Sequence, residues 1–196
     1  MLGLPTSIKV DGKEYRITNN ADYRVILDVF QCLNDNDLEG GERYFAAALI
    51  FFKDLTIDNF NDVFKDQETY SKAISGMVEF CNCYQKNSVK KSYSLYDWQE
   101  DEQLIFASLN KSAGYEVRDP EKYVHWFTFM GYFNSIGEGT FSTVVSIREK
   151  IVKGEKLEKW ERKFRAESPD YFKWDWRTNE QREIEDDIVK KFYHNR

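Results

Sequence analysis

Asp97 and Asp101 stand four residues apart in the stretch Tyr96-Asp97-Trp98-Gln99-Glu100-Asp101. On a helix that spacing puts both carboxylates on one face, and paired carboxylates could do acid–base work. Ile105 and Leu109 continue the stripe, so the face points inward. No nucleophile, metal-ligand cluster or glycine-rich cradle accompanies the pair. The expected role is therefore structural: a carboxylate favoured by a helix N-terminus, or the partner of a buried cation. Arg148 is the cation that the pattern offers. It ends an apolar stripe of Phe141, Val144 and Val145, where a guanidinium needs a carboxylate or helix-end carbonyls. We expect Arg148 to pair with Asp97 or Asp101 and to tie the last helix of this segment to its first.

His125 is the next candidate. It precedes Trp126 in an apolar stripe of Trp126, Phe129, Met130 and Phe133, and the chain's other histidine, His194, lies in the tail. A metal site would have to recruit distant carboxylates or cysteines, so a hydrogen-bonded core histidine is expected. Cys81-Asn82-Cys83 is spaced too closely for a zinc knuckle and has no second pair. Opposite faces of one helix is the simple reading of these two cysteines. Gly137-Glu138-Gly139-Thr140 lacks the glycine spacing and the lysine of a phosphate loop and reads as helix stop, turn and cap. The reading is of a chain that is not an enzyme, with no catalytic residue, no cofactor and no metal.

The aromatic residues point to binding. Tyr44, Phe45, Phe51 and Phe52 surround a helix too apolar to show a solvated face. Core burial is the default for each. Any remainder could dock a second copy of the chain, as a homo-oligomer, or a client helix. Trp160, Trp174 and Trp176 interrupt an otherwise charged tail and are further candidate anchors.

Composition narrows the setting. Aromatics make up 16% of the 196 residues, with 12 Tyr, 15 Phe and 5 Trp, a supply that allows a folded core. The formal net charge of -6 opposes binding to nucleic acid or to an anionic membrane. Residues 1–70 carry 7 Lys/Arg against 13 Asp/Glu, so nearly all of that charge lies at the N-terminal end. The longest apolar run, Tyr44 to Phe52, falls short of the ~18 residues that span a bilayer. No signal peptide is expected, and three cysteines without framework spacing fit a reducing cytoplasm.

These residues need elements to position them. Only 3 Pro and 10 Gly favour long continuous elements. Ile8-Lys9-Val10 and Glu14-Tyr15-Arg16-Ile17 flank Asp11-Gly12-Lys13, the signal for a β-hairpin. Helical periodicity follows at Tyr23, Ile26, Leu27, Phe30 and Leu33, with Asn19 or Asn20 as the cap. Further helices are expected at about 42–53 and 68–84, with a short piece at 58–64. Others are expected at about 96–113, ended by Gly114, at 121–136 after Asp119-Pro120, and at 141–152 behind Thr140. Beyond Lys153 the text is dense in both charges, and Glu158 and Arg162 are spaced to pair. The expected fold is mainly α, a multi-helix bundle with a small N-terminal β-hairpin. The expected parts are 1–88, a hairpin plus helical subdomain; 92–152, a compact helical unit; and 153–196, a charged helical extension with aromatic anchors. Residues 85–95 are the joint.

The stretch from Tyr96 to Arg148 carries a recognisable pattern. Tyr96 to Asp101 is followed by Leu104 to Leu109, His125-Trp126-Phe127, Phe129, Gly139-Thr140-Phe141 and Val145-Ser146-Ile147-Arg148. This pattern resembles the bacteriophage gene-product-fifteen family. The opening, with Asp22-Tyr23-Arg24 and the run near Ala46, fits more loosely, and the tail after Lys153 is not well matched. The resemblance implies a tail assembly chaperone, encoded beside the tape-measure gene in siphophages and prophages. It implies transient binding of the tape-measure protein and the tail-tube protein in the host bacterial cytoplasm, with no place in the mature virion. The alternatives are a minor structural component of the tail or connector and, behind it, a small enzyme using Asp97, Asp101 and His125.

Overall fold

The computed structural model describes residues 3–35, 37–85 and 93–173. Two strands, β1 (Ser7–Val10) and β2 (Lys13–Arg16), precede eight α-helices among the described residues. These are α1 (Tyr23–Leu33), α2 (Gly40–Phe51), α3 (Phe60–Val63), α4 (Gln67–Cys81), α5 (Glu102–Ala113), α6 (Trp126–Asn134), α7 (Thr140–Val152) and α8 (Lys159–Glu167). The protein is mainly α with a small N-terminal hairpin. The described residues sort into two compact units. Those within 1–87 join 119–131, and those within 88–118 join 132–196. Residues 119–131, expected within a continuous 92–152 unit, sort with 1–87.

In the first unit, β1 and β2 pair antiparallel with Ile8 opposite Tyr15. Asp11 and Gly12 both have positive φ, 49° and 82°, the two-residue turn whose twist matches the strands it joins. Ile8, Val10 and Tyr15 form the buried face. A hairpin this short needs a support, and α4 supplies one. Gly76 on α4 lets β1 approach closely: a Cβ there would lie 2.9 Å from Ile8 Cδ1. Tyr15 stacks on Phe64 at 5.6 Å between ring centroids and meets Phe52 edge-on.

Between β2 and α1 the chain turns through three left-handed residues, Asn19, Asn20 and Ala21, with φ of 47°, 53° and 61°. Asparagine tolerates that conformation. The two asparagines therefore make the turn rather than the cap expected of them. Asp22, in the extended conformation a cap requires (φ -56°, ψ 141°), accepts from the Arg24 N–H instead.

The helix expected from Glu121 starts only at Trp126. Residues before it pair with the chain ahead of α1: Asp22 and His125 form an antiparallel bridge, and the Tyr23 N–H donates to the Val124 carbonyl at 2.9 Å. That long-range pairing outcompetes helix propensity. Tyr23 then stacks on Phe129 at 4.4 Å, nearly parallel.

In the second unit, α5 begins at Glu102, six residues later than the periodicity suggests, and ends at Gly114 with φ 79°, as expected. Its buried face is Ile105, Phe106 and Leu109, and that of α7 is Phe141, Val144, Ile147 and Arg148. Tyr96, Trp98, Phe133 and Phe141 form an aromatic group with centroids 5.0–5.8 Å apart. The Arg162 side chain reaches the Leu157 carbonyl at 2.5 Å rather than lying alongside Glu158.

Candidate functional site

The charged residues singled out by the sequence converge on two buried polar centres, one in each unit. In the second unit, the Arg148 guanidinium grips Asp101 with two hydrogen bonds, of 2.6 and 2.9 Å. Both side chains are almost sealed, at 2% and 4% exposure. The remaining donors go to main-chain carbonyls: Nε and Nη2 to Tyr171 at 3.0 and 2.7 Å, and Nη1 to Leu95 at 3.1 Å. All five N–H groups of the guanidinium are thereby used. Asp101 also accepts from the Asp97 N–H at 3.0 Å. A bidentate, charge-assisted pair of this kind is among the stronger side-chain contacts and fixes orientation as well as distance.

Asp97 does not share a helix face with Asp101. Its carboxylate accepts from the N–H groups of Gln99 and Glu100, at 2.7 and 3.0 Å. Asp97 caps a single turn in which the Asp101 N–H bonds the Asp97 carbonyl at 3.1 Å, and α5 follows from Glu102. Of the two carboxylates, only Asp101 meets Arg148.

His125 belongs to the first unit and sits just before α6. Its Nδ1 accepts from the Phe127 N–H at 3.0 Å, satisfying an orphan donor of the first helical turn. Its Nε2 lies 2.8 Å from the Pro5 carbonyl, which can only accept. The partners therefore assign the proton to Nε2. His125 is 1% exposed. It works as a two-ended clip between the N-terminal segment and α6. Glutamine at this position cannot keep both bonds at that span. His125→Gln is expected to cost about 1–3 kcal/mol, read as a lowered urea midpoint for the first unit.

Asp22 and Arg24 complete the centre of the first unit. Asp22 caps α1, accepts from the Val124 N–H at 3.2 Å and pairs with Arg24 at 3.1 Å. Arg24 donates to the carbonyls of Asp119 and Lys122, at 2.8 and 3.2 Å, and lies over the Tyr23 ring. Sequence spacing alone assigns Asp22-Tyr23-Arg24 no such role. The available signal was an aspartate two residues from an arginine at the head of an apolar helix stripe.

Glu161 is a further buried charge that no apolar stripe singles out. It is 2% exposed, accepts from Lys150 Nζ at 2.6 Å, and accepts from the Glu158 N–H at 2.7 Å. Glu158 and Glu161, three apart at the head of α8, form a capping box, a pattern visible in sequence. The Lys150 ammonium and then the Glu158 N–H hold the Glu161 carboxyl below its ordinary value of 4.5. A carboxyl depressed in the folded state stabilises at pH above its unfolded value, and this contribution disappears as pH falls through the folded one. Acidification below about pH 4.5 is expected to shift the NMR amide signals of α8 before those of α7. Glu161→Gln should remove that early transition.

The cysteines offer no reactive thiolate. Burial pushes the Cys81 thiol up to about 12 and the Cys83 thiol up to about 11. They do not share a helix: α4 ends at Cys81, and Cys83 lies beyond it with φ 53°. Among the described residues no group of three or more His, Cys, Asp or Glu is placed to hold a metal. No helix among them is long and apolar enough to cross a membrane.

A groove of about 520 Å³ opens on the second unit, between α5 and the turn before α7. Leu104, Ala107, Ser108 and Lys111 line one side, residues 135–139 the other, and Tyr171 closes part of the wall. Gly137-Glu138-Gly139 is the turn expected of it, although Thr140 starts α7 rather than capping it. The Ser142 hydroxyl bonds the N–H and the carbonyl of Gly139, each at 3.0 Å.

The aromatic candidates divide. Tyr44 is 44% and Trp160 57% exposed, whereas Phe51 and Phe52 are core residues at 0% and 2%. Phe45 is half-buried against Phe60, at 5.0 Å. Trp174 and Trp176 lie outside the described residues. A protein-family model described as Bacteriophage Gp15 protein matches residues 3–172. The chain belongs to the bacteriophage Gp15 family. The match takes in the hairpin, both polar centres and the groove of this Gp15 protein. No curated protein and no solved structure matches the chain.

Proposed function

We propose that this Gp15 protein is a non-enzymatic tail assembly chaperone. It binds the tape-measure protein, the tail-tube protein or both, transiently, in the host cytoplasm, and leaves before the virion matures. Membership of a phage family over residues 3–172 supports the setting. The observation that carries binding over catalysis is how the candidate reactive groups are used. The Arg148 donors, the Asp101 carboxylate and both His125 nitrogens are committed to each other and to main-chain atoms. A group held this way orders backbone rather than moving protons for a substrate. Charge also favours a particular contact. Residues 1–87 and 119–131 hold 10 Lys/Arg against 16 Asp/Glu, giving -6, whereas 88–118 and 132–196 hold 18 of each. The first unit therefore carries the whole net charge and suits a basic client face.

Co-expression with the products of the neighbouring tape-measure and tail-tube genes tests the proposal. Affinity capture of the folded chain is expected to bring one or both along, and mass spectrometry of purified mature virions to find none of this chain. A folded chain that captures neither protein but is present in virions overturns the chaperone reading in favour of a minor tail or connector component.

A further inference from the structure

Residues 153–173 differ from the rest of the second unit in what holds them. Only Leu157 and Glu161 are buried in this stretch, and Phe164, Ser168, Tyr171 and Phe172 are half-buried. By contrast α7 buries Phe141, Val144, Ile147 and Arg148. Beyond the bonds that end α7, namely the Gly154 N–H to the Ile151 carbonyl, the Glu155 N–H to the Lys150 carbonyl and the Lys153–Glu149 pair, polar contacts join the stretch to α7. Lys150 Nζ bonds the Glu161 carboxylate at 2.6 Å, and the Arg148 guanidinium holds the Tyr171 carbonyl. The Arg148 bonds to Asp101 and to the Leu95 carbonyl involve no residue of the stretch.

We propose that residues 155–173 form a detachable strap. It lifts from α7 as a piece while α5 and α7 stay folded, and it takes with it the wall of the groove that Tyr171 supplies. The reasoning rests on how local opening is ranked. Segments with little apolar burial open at lower free energy than the unit that carries them. Lys150 is 30% exposed and Glu161 3%, and lifting the stretch returns both charges to water, so neither is left buried without its partner. Apolar burial, which would make opening all-or-none, is nearly absent from α8: Trp160 faces out at 57% exposure, and Glu161 is its one buried residue. The alignment of Arg148 toward Tyr171 returns the strap to the same place on closing. The inference concerns the second unit alone and holds whether or not the chaperone reading is correct.

Hydrogen exchange by mass spectrometry on the full chain tests it. Amides of α8 are expected to exchange at least about tenfold faster than those of the buried middle of α7. Lys150→Ala should accelerate α8 several-fold further and leave α5 and α7 unchanged. Equal rates in α8 and α7, or a Lys150→Ala chain that accelerates both helices together, overturns the proposal, since either shows that the stretch opens only with the whole unit. Glu161→Gln gives a second reading that leaves Lys150 in place, with the same outcomes on each side.

Discussion

An Arg148→Ala chain is expected to lose about 3–5 kcal/mol of stability in the second unit, the cost of breaking a buried ion pair from one side. The loss has three sources. Asp101 remains as a buried carboxylate at 4% exposure without its counter-charge. The carbonyls of Leu95 and Tyr171 lose the donors they share. A cavity opens beside Val144 and Ile147, the buried residues of the same helix face. Arg148→Lys recovers only part, because one ammonium cannot reproduce a planar fork that serves a carboxylate and two carbonyls. Asp101→Leu combined with Arg148→Met should cost less than the sum of the two single changes, since neither charge is then stranded. Urea unfolding of the wild type and these variants measures this. A loss under about 1 kcal/mol for Arg148→Ala would place the pair with solvated surface bridges and contradict the geometry.

Asp22→Ala is expected to destabilise the first unit by about 2–4 kcal/mol. Its carboxylate does two tasks. It caps α1 through the Arg24 N–H, and it accepts from the Val124 N–H, which is buried. Loss of a cap costs about 1 kcal/mol, and an unsatisfied buried N–H costs about 1–3 more. Asn at position 22 keeps a capping oxygen and should cost clearly less. Peptide-resolved hydrogen exchange separates the two tasks: Asp22→Ala should expose residues 119–125 together with the first turn of α1, whereas a cap alone would expose only α1.

Much of the scaffold could be read directly. Asp11-Gly12 specified its turn, Gly114 its helix end, and the 3.6-residue stripes the helices, because each is a local rule acting on adjacent residues. The Arg148–Asp101 pair was legible for another reason: a guanidinium in an apolar stripe demands a carboxylate, and few were on offer. What was hidden is long-range. The late start of α6 depends on pairing between residues 22–23 and 124–125, a hundred positions apart. The main-chain acceptors at Pro5, Leu95 and Tyr171 leave no side-chain trace in sequence. Asp97 and Asp101 share helical spacing, and nothing in that spacing shows that Asp97 folds back on its own turn.

Five of the buried or partly buried polar residues share one kind of task. Asp22, Arg24, Asp101, His125 and Arg148 each tie a helix to a segment distant in sequence through main-chain or charge-assisted bonds. Binding surfaces, on this account, lie elsewhere on the two units. The most direct test is complementation of tail assembly in a host carrying the phage genome without this gene. It uses His125→Gln and Asp101→Asn chains whose folding is verified by circular dichroism and cooperative unfolding. The account predicts that each folded variant restores tail yield to near the wild-type level. A variant that folds as the wild type does and still yields no tails would show that these groups act chemically, and would contradict it.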